Sequence, residues 1–258
     1  MYWVLQENLF NEVGFARLVC TLEKFKLPYS VHKFLPFTHR LEPDTNPTGK
    51  VIVMGTYSLT QIAVERGWQP GSFASSQLDY LAQRPHWGKE MLNRDALVCF
   101  FKNVPPQKNP FFLRPSADSK DFSGFVTDWG EFSEWRDRVL SLPPEDTAQL
   151  HGKTLVMVCS KKEIWSETRC WVVRGNVVTA SEYKRGTIVR YSSTVDERIV
   201  NYAAAQAQHW SPCEAFVLDI ADTPAGLKIL EAGNLNSAGF YEADLQKLVA
   251  ALEDCFGC

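Results

Sequence analysis

Long apolar runs are missing from this sequence: no uninterrupted stretch approaches the roughly 20 residues that a membrane-spanning helix needs. The opening residues MYWVLQENLF also lack the basic segment and apolar core of an export signal. Charge of one sign is not in excess, since 27 Lys and Arg face 30 Asp and Glu, a net charge of −3 with a pI near 6.0. Neither nucleic acid nor an anionic membrane surface is therefore expected as the main partner. Disulfide-framework spacing is absent as well: the seven cysteines are odd in number and scattered, which fits thiols in a reducing compartment. These absences together predict a soluble, cytoplasmic protein.

Several chemical signatures are missing too. PTGK at residues 47–50 precedes a strand, whereas a phosphate-binding P-loop follows one and opens a helix. No GxGxxG occurs, so a Rossmann dinucleotide site has no support. His209 and Cys213 have no further ligands at zinc spacing, and the CFGC of residues 255–258 has no βαβ start after it. It also lacks the aliphatic middle of a prenylation box. No convincing Ser-His-Asp or Cys-His arrangement suggests covalent catalysis by a side chain.

What remains is a composition of 45% hydrophobic and 22% charged residues, enough for one large domain or two lobes sharing a core. The first third reads as strands alternating with helices. YWVLQE and YSVHKFLPF are predicted strands, KVIVMG is a strand covered on both sides, and a parallel sheet follows. Phe15, Leu18, Val19, Leu22 and Phe25 share one helical face, and SLTQIAVERG is a helix with a Ser or Thr cap that ends at Gly67. This gives a small α/β lobe over about residues 1–75.

Residues 77–106 read as helix and then extended chain, and NPFFLRP as a strand ending at Pro115. The polar loop SADSKDFSG follows, with Lys120 inside it. DWGEFSEWRDRVLSL is a surface helix and KTLVMVCS a strand, while ETRCWVV and VVTASEY form a hairpin turning at Gly175 and Asn176. Thr194 and Glu197 stand at capping-box spacing before a helix. AFVLDIADTPAGLKILEAGN is a strand pair that brings Asp219 and Glu231 onto neighbouring strands, and Leu245, Leu248, Val249 and Leu252 mark a final amphipathic helix.

Asp219, Glu231 and one of Asn234 or Asn236 would supply hard oxygens suited to Mg2+, although alone they read more readily as solvated strand-end charges and turn residues. Arg114, Lys120, Arg169, Lys184 and Arg185 are candidate phosphate ligands. Arg169 lies in a largely apolar strand, where an unpaired guanidinium is costly; a structural ion pair with Glu167 or another acid explains it equally well.

Taken in order, FFLRPSADSK, TLVMVCSKKEIWSETRCWVVRGNVVTASEYKRG and FVLDIADTPAGLKILEAGNLNSAGFY resemble the ATP-grasp superfamily. More narrowly they resemble the small divergent clade that keeps two arginines and a lysine. That clade is shared by phage and bacterial proteins and a eukaryotic translation-initiation assembly factor. The resemblance implies an α/β fold, α+β in its C-terminal part, with a pre-ATP-grasp lobe at residues 1–75 and an ATP-grasp domain at 76–258. It implies ATP and Mg2+ as cofactors, with Arg114 and Lys120 on ATP phosphates. The backbone of Met157, Val158 and Cys159 would meet adenine, with Ser160 or Glu163 near adenine or ribose. Arg169 would face the γ-phosphate or an acyl phosphate, and Tyr183 with Lys184 and Arg185 would close the site. Asp219 and Glu231 would hold metal with Asn234 or Asn236. The family's Glu-x-Asn would place asparagine at 233, where this chain has Gly233. The implied reaction joins a carboxylate to an amine or thiol through an acyl phosphate, with a peptide or protein as one candidate substrate. An assembly chaperone that binds ATP with little turnover is the alternative.

Overall fold

The computed structural model describes residues 1–7, 11–35, 40–117, 122–143 and 150–258. The described chain divides into two compact units, Met1–Ser75 with Ile164–Cys258, and Ser76–Glu163. This spatial grouping differs from the sequence division at 75, because the C-terminal third packs with the first lobe.

The larger unit holds two sheets. In the first, β1 (Tyr2–Gln6) lies between β2 (Tyr29–Leu35) and β4 (Lys50–Met54), parallel to both, while β3 (Arg40–Glu42) and β5 (Gln69–Gly71) form the edges. β3 runs antiparallel, so the sheet is mixed. Alternation along β1 divides the apolar load. Val4 joins Val51, Val53 and the helix α2 (Tyr57–Glu65), whereas Trp3 and Leu5 face α1 (Phe15–Lys24). Helix α6 (Leu245–Phe256) covers that second face, and its Leu248, Val249 and Leu252 enter one core with Trp3, Leu5, Trp171 and Val217.

The second sheet has the order β12-β11-β10-β13-β14, all antiparallel, from β10 (Ser166–Val173), β11 (Asn176–Arg185), β12 (Ile188–Ser192), β13 (Ala215–Thr223) and β14 (Gly226–Asn234). The β10–β11 turn is centred on Arg174 (φ +46°) and Gly175 (φ +77°), one residue earlier than expected. Two successive positive φ values are what a tight primed hairpin turn requires. Helix α5 (Glu197–His209) is capped by Asp196, whose carboxylate accepts the Arg198 N–H, and not by Thr194. Likewise Thr56 precedes α2 without capping it, because its hydroxyl donates to Gln6 Oε1 at 2.8 Å.

The smaller unit is a four-stranded sheet, β6-β9-β7-β8, from β6 (Leu97–Phe100), β7 (Phe111–Pro115), β8 (Phe125–Thr127) and β9 (Leu155–Ser160). Helix α4 (Trp129–Ser141), capped by Asp128, packs Phe132 edge-on to Phe101 and Phe111. Helix α3 (Tyr80–Trp87) precedes the sheet.

Candidate nucleotide and metal site

Strand register sets the corner in the larger unit. Arg169 on β10 is directly opposite Asp219 on β13, and Asp219 is directly opposite Glu231 on β14. Directly paired residues share a face with Cβ atoms about 5 Å apart, so a cation and two acids form one row across three strands. Arg169 is 13% exposed and Asp219 only 3%. Arg169 Nε and Nη2 donate to the two Asp219 oxygens at 2.8 Å each, and Nη1 donates to the Gly239 carbonyl at 3.4 Å. The partner of Arg169 is therefore Asp219; Glu167 accepts instead from Tyr183 Oη at 2.8 Å and Lys184 Nζ at 2.7 Å.

Tyrosines roof the guanidinium. Its carbon lies 5.0 Å from the Tyr241 ring centre and 5.6 Å from that of Tyr183. Tyr241 is stacked between Tyr183 and Tyr191, with ring centres 5.1 Å apart on both sides. Burial is the largest influence on Arg169 and works against its charge, but the charge and hydrogen bonds of Asp219 carry its pKa above the ordinary value. Burial, then the charges of Asp219 and Glu167, push the Tyr183 phenol well up, so it stays a neutral donor.

The two asparagines have structural work of their own. Asn236 is buried, its Nδ2 donates to the Val53 carbonyl at 2.7 Å, and its Oδ1 accepts from Phe73 N–H at 2.8 Å and Ser72 Oγ at 3.2 Å. Both lone pairs of that oxygen are engaged. Asn234 Oδ1 accepts the Asn236 N–H at 3.0 Å. An alanine Cβ at Gly233 would meet Val217 at an ordinary 3.5 Å, so packing does not force glycine there.

Magnesium fits this donor set. Among the described residues no group of three or more His, Cys, Asp or Glu forms a metal cluster. Asp219 and Glu231 are nevertheless paired hard carboxylates, and Mg2+ is commonly held by one or two such groups completed by phosphate oxygens and waters. The two Asp219 oxygens are not equally engaged: Oδ1 accepts from Arg169 Nε, whereas Oδ2 accepts from Arg169 Nη2 and has Tyr183 Oη at 3.5 Å as well. Each carboxylate oxygen has two lone pairs, so Oδ1 is the better placed to add a cation.

In the smaller unit Arg114 sits on β7 opposite Met157 of β9, and its Nε donates to the Met157 sulfur at 3.2 Å. Met157 and Val158 are flanked on both sides, by β6 and by β7. Cys159 and Ser160 pair only with β7, so the edge facing away from β7 opens there. Cys159 Sγ lies 3.2 Å from Asn93 Oδ1, and burial pushes its thiol up to about 11. Lys162 bridges Asp95 and Ser160, at 2.8 and 2.9 Å, just before Glu163. Lys120 lies outside the described residues.

The family model for the ATP-grasp domain of the clade named for two arginines and a lysine, family 3, matches residues 34–252. The chain belongs to this ATP-grasp family. Membership implies ATP binding, and the fold agrees. The RimK domain ATP-grasp protein of Sphaerobacter thermophilus DSM 20745 is 13% identical, with TM-score 0.59 and 92% of each chain covered. D-alanine–D-alanine ligase of Bacillus anthracis complexed with ATP is 12% identical, with TM-score 0.62, covering 98% of this chain and 96% of that one. The ATP-grasp ligase PsnB, in complex with precursor peptide PsnA2 and AMPPNP, is 11% identical with TM-score 0.55 over the same shares. No curated protein sequence matches significantly. Among the described residues no helix is long and apolar enough to cross a membrane.

Sequence reasoning missed Glu12, Arg17 and Tyr191, which buttress or extend this corner. None sits in a motif; only spatial packing brings them to residues 239–243.

Proposed function

We propose that this ATP-grasp chain is an ATP- and magnesium-dependent ligase that joins a carboxylate to an amine or thiol through an acyl phosphate, with a peptide or protein as substrate. The observation that carries the reading is the row Arg169, Asp219, Glu231 on three adjacent strands, a buried cation beside two acids inside an ATP-grasp fold. A guanidinium held in a fixed orientation suits phosphoryl oxygens that gain charge during transfer. Arg169 takes that role, and Arg114 and Lys120 bind ATP phosphates. Tyr183 and Lys184 hold Glu167 and close the cluster. The substrate carboxylate oxygen bonds to the γ-phosphorus as ADP leaves; the amine or thiol then bonds to the acyl carbon, loses its proton, and phosphate departs.

Asp219 and Glu231 would hold Mg2+, whose charge neutralises ATP phosphates when bound. Of the two carboxamides, Asn234 is the better third ligand, because both lone pairs of Asn236 Oδ1 are engaged. Adenine contacts fall at Cys159, Ser160 and Glu163 in preference to Met157 and Val158, whose backbone is flanked by strands on both sides. The division into a pre-ATP-grasp lobe at 1–75 and an ATP-grasp domain at 76–258 belongs to this reading, as does a reducing, cytoplasmic setting for the seven thiols. Likeness to PsnB, a ligase complexed with a precursor peptide, supports a peptide substrate.

The test is thermal unfolding with Mg-ATP, Mg-ADP, GTP or EDTA, for wild type, Glu231→Gln and Arg169→Lys. A ligand that binds only the folded state raises the midpoint. A magnesium-dependent ATP shift diminished in both variants supports the site and leads to an ADP-release screen of carboxylate and amine pairs. No shift with any nucleotide overturns it. One observation favours the assembly-chaperone reading, in which ATP orders a protein-binding surface with little turnover: Gly233 lacks the family carboxamide although a side chain would fit. ATP binding without ADP release across that screen would select it.

A further inference from the structure

Glu12 lies between β1 and α1, outside every motif, yet its Oε1 accepts three backbone N–H groups, from Gly14 at 3.1 Å, Phe240 at 2.9 Å and Tyr241 at 3.3 Å. Arg17 completes the grip from the carbonyl side, donating to Tyr241 O and to Ala243 O and lying 3.4 Å from Glu242. The segment so held is the one that meets Arg169. Gly239 gives its carbonyl to the guanidinium, and Tyr241 lays its ring against it. Tyr241 has φ +47°, a left-handed conformation that a bulky residue keeps only when its surroundings impose it. An anion at the focus of three N–H groups is such a constraint, since charged acceptors bind N–H more strongly than neutral ones.

We infer that Glu12 is a positioning residue for Arg169. By fixing residues 239–241 it sets the Gly239 carbonyl and the Tyr241 ring that hold the guanidinium at its working angle. The inference rests on the reading above, in which Arg169 meets the terminal phosphate of ATP.

The experiment is calorimetric titration of the full chain with Mg-ATP and Mg-ADP, for wild type, Arg169→Lys, Glu12→Ala, Glu12→Asp and Glu12→Gln, paired with amide hydrogen exchange over residues 239–243. Wild type prefers ATP to ADP, and Arg169→Lys loses that preference. Glu12→Ala lowers it by about tenfold with ADP affinity little changed, the scale on which an orienting partner usually acts. Exchange over 239–243 quickens in the same variant. Glu12→Gln, whose carboxamide oxygen still accepts N–H, retains the preference within about threefold. Glu12→Asp pulls the carboxylate back by one methylene and behaves like the alanine variant, so it carries the test if Glu12→Ala does not fold. If Glu12→Ala and Glu12→Asp keep the wild-type preference while Arg169→Lys loses it, the positioning role is overturned and the Arg169 reading stands. If wild type and Arg169→Lys prefer ATP equally, the Arg169 reading itself fails and takes the inference with it.

Discussion

Arg169 and Asp219 are partners in the strand ladder and also in a two-bond ion pair, with Nε and Nη2 each 2.8 Å from a different carboxylate oxygen. Breaking one side of a buried pair leaves an uncompensated charge. Arg169→Ala is therefore expected to lower unfolding free energy by about 3–5 kcal/mol, whereas joint replacement by Met and Leu restores much of it. Urea unfolding of the single and double variants measures this, and additive losses would refute the pairing.

Asn236 and Glu231 separate folding from metal binding. Asn236→Ala strips hydrogen bonds from the buried Val53 carbonyl and Phe73 amide, at about 1–3 kcal/mol for each group left unsatisfied. A lower melting temperature is expected, with the magnesium dependence of the ATP shift intact. Glu231→Gln is expected to do the reverse. A variant that moves both quantities together would contradict the separation.

Alkaline pH should weaken the fold through its buried thiols. Burial raises Cys159 from 9.0 to about 11 and Cys213 to about 12. The folded state then holds these protons where the unfolded chain has released them, so their contribution is complete below about pH 9 and declines as pH rises towards 11 and 12. Stability followed by urea unfolding from about pH 8 to 11 is expected to fall, and less steeply in Cys159→Ala. Exposed Cys20 and Cys258 should react with iodoacetamide well before Cys159 and Cys170.

Helix α6 gives the fourth prediction. Leu248 is 1% exposed and lies in the core that joins the first sheet to the β10–β14 sheet. Leu248→Ala is expected to cost about 2–5 kcal/mol in a single cooperative transition. Separate melting of two transitions would show that the two sheets do not share stability.

Much of this was legible in the sequence where a repeat in hydrophobicity was strong. β1, β4, α1, α5 and α6 follow from periodicity, and the pairing of Asp219 with Glu231 follows from two strands around a Pro224–Gly226 turn. The short edge strands β3 and β5, of three residues each, carry too little pattern to read. β12 was missed because Ile188 and Val189 are exposed at a sheet edge and mark no buried face. Arg169 could not be matched to Asp219 without register, since Glu167 is nearer in the chain but is taken by Lys184. Glu12 was invisible for a plainer reason: its bond to Phe240 spans 228 positions.

That same distance has a consequence for synthesis. The first sheet leaves the ribosome well before the helix that covers Trp3 and Leu5, because the whole second sheet is translated between them. Until α6 arrives, one face of the nascent sheet is greasy and unclaimed, the condition in which emerging chains recruit chaperones or stick to neighbours. The first lobe is thus begun ahead of the second sheet and finished only after it.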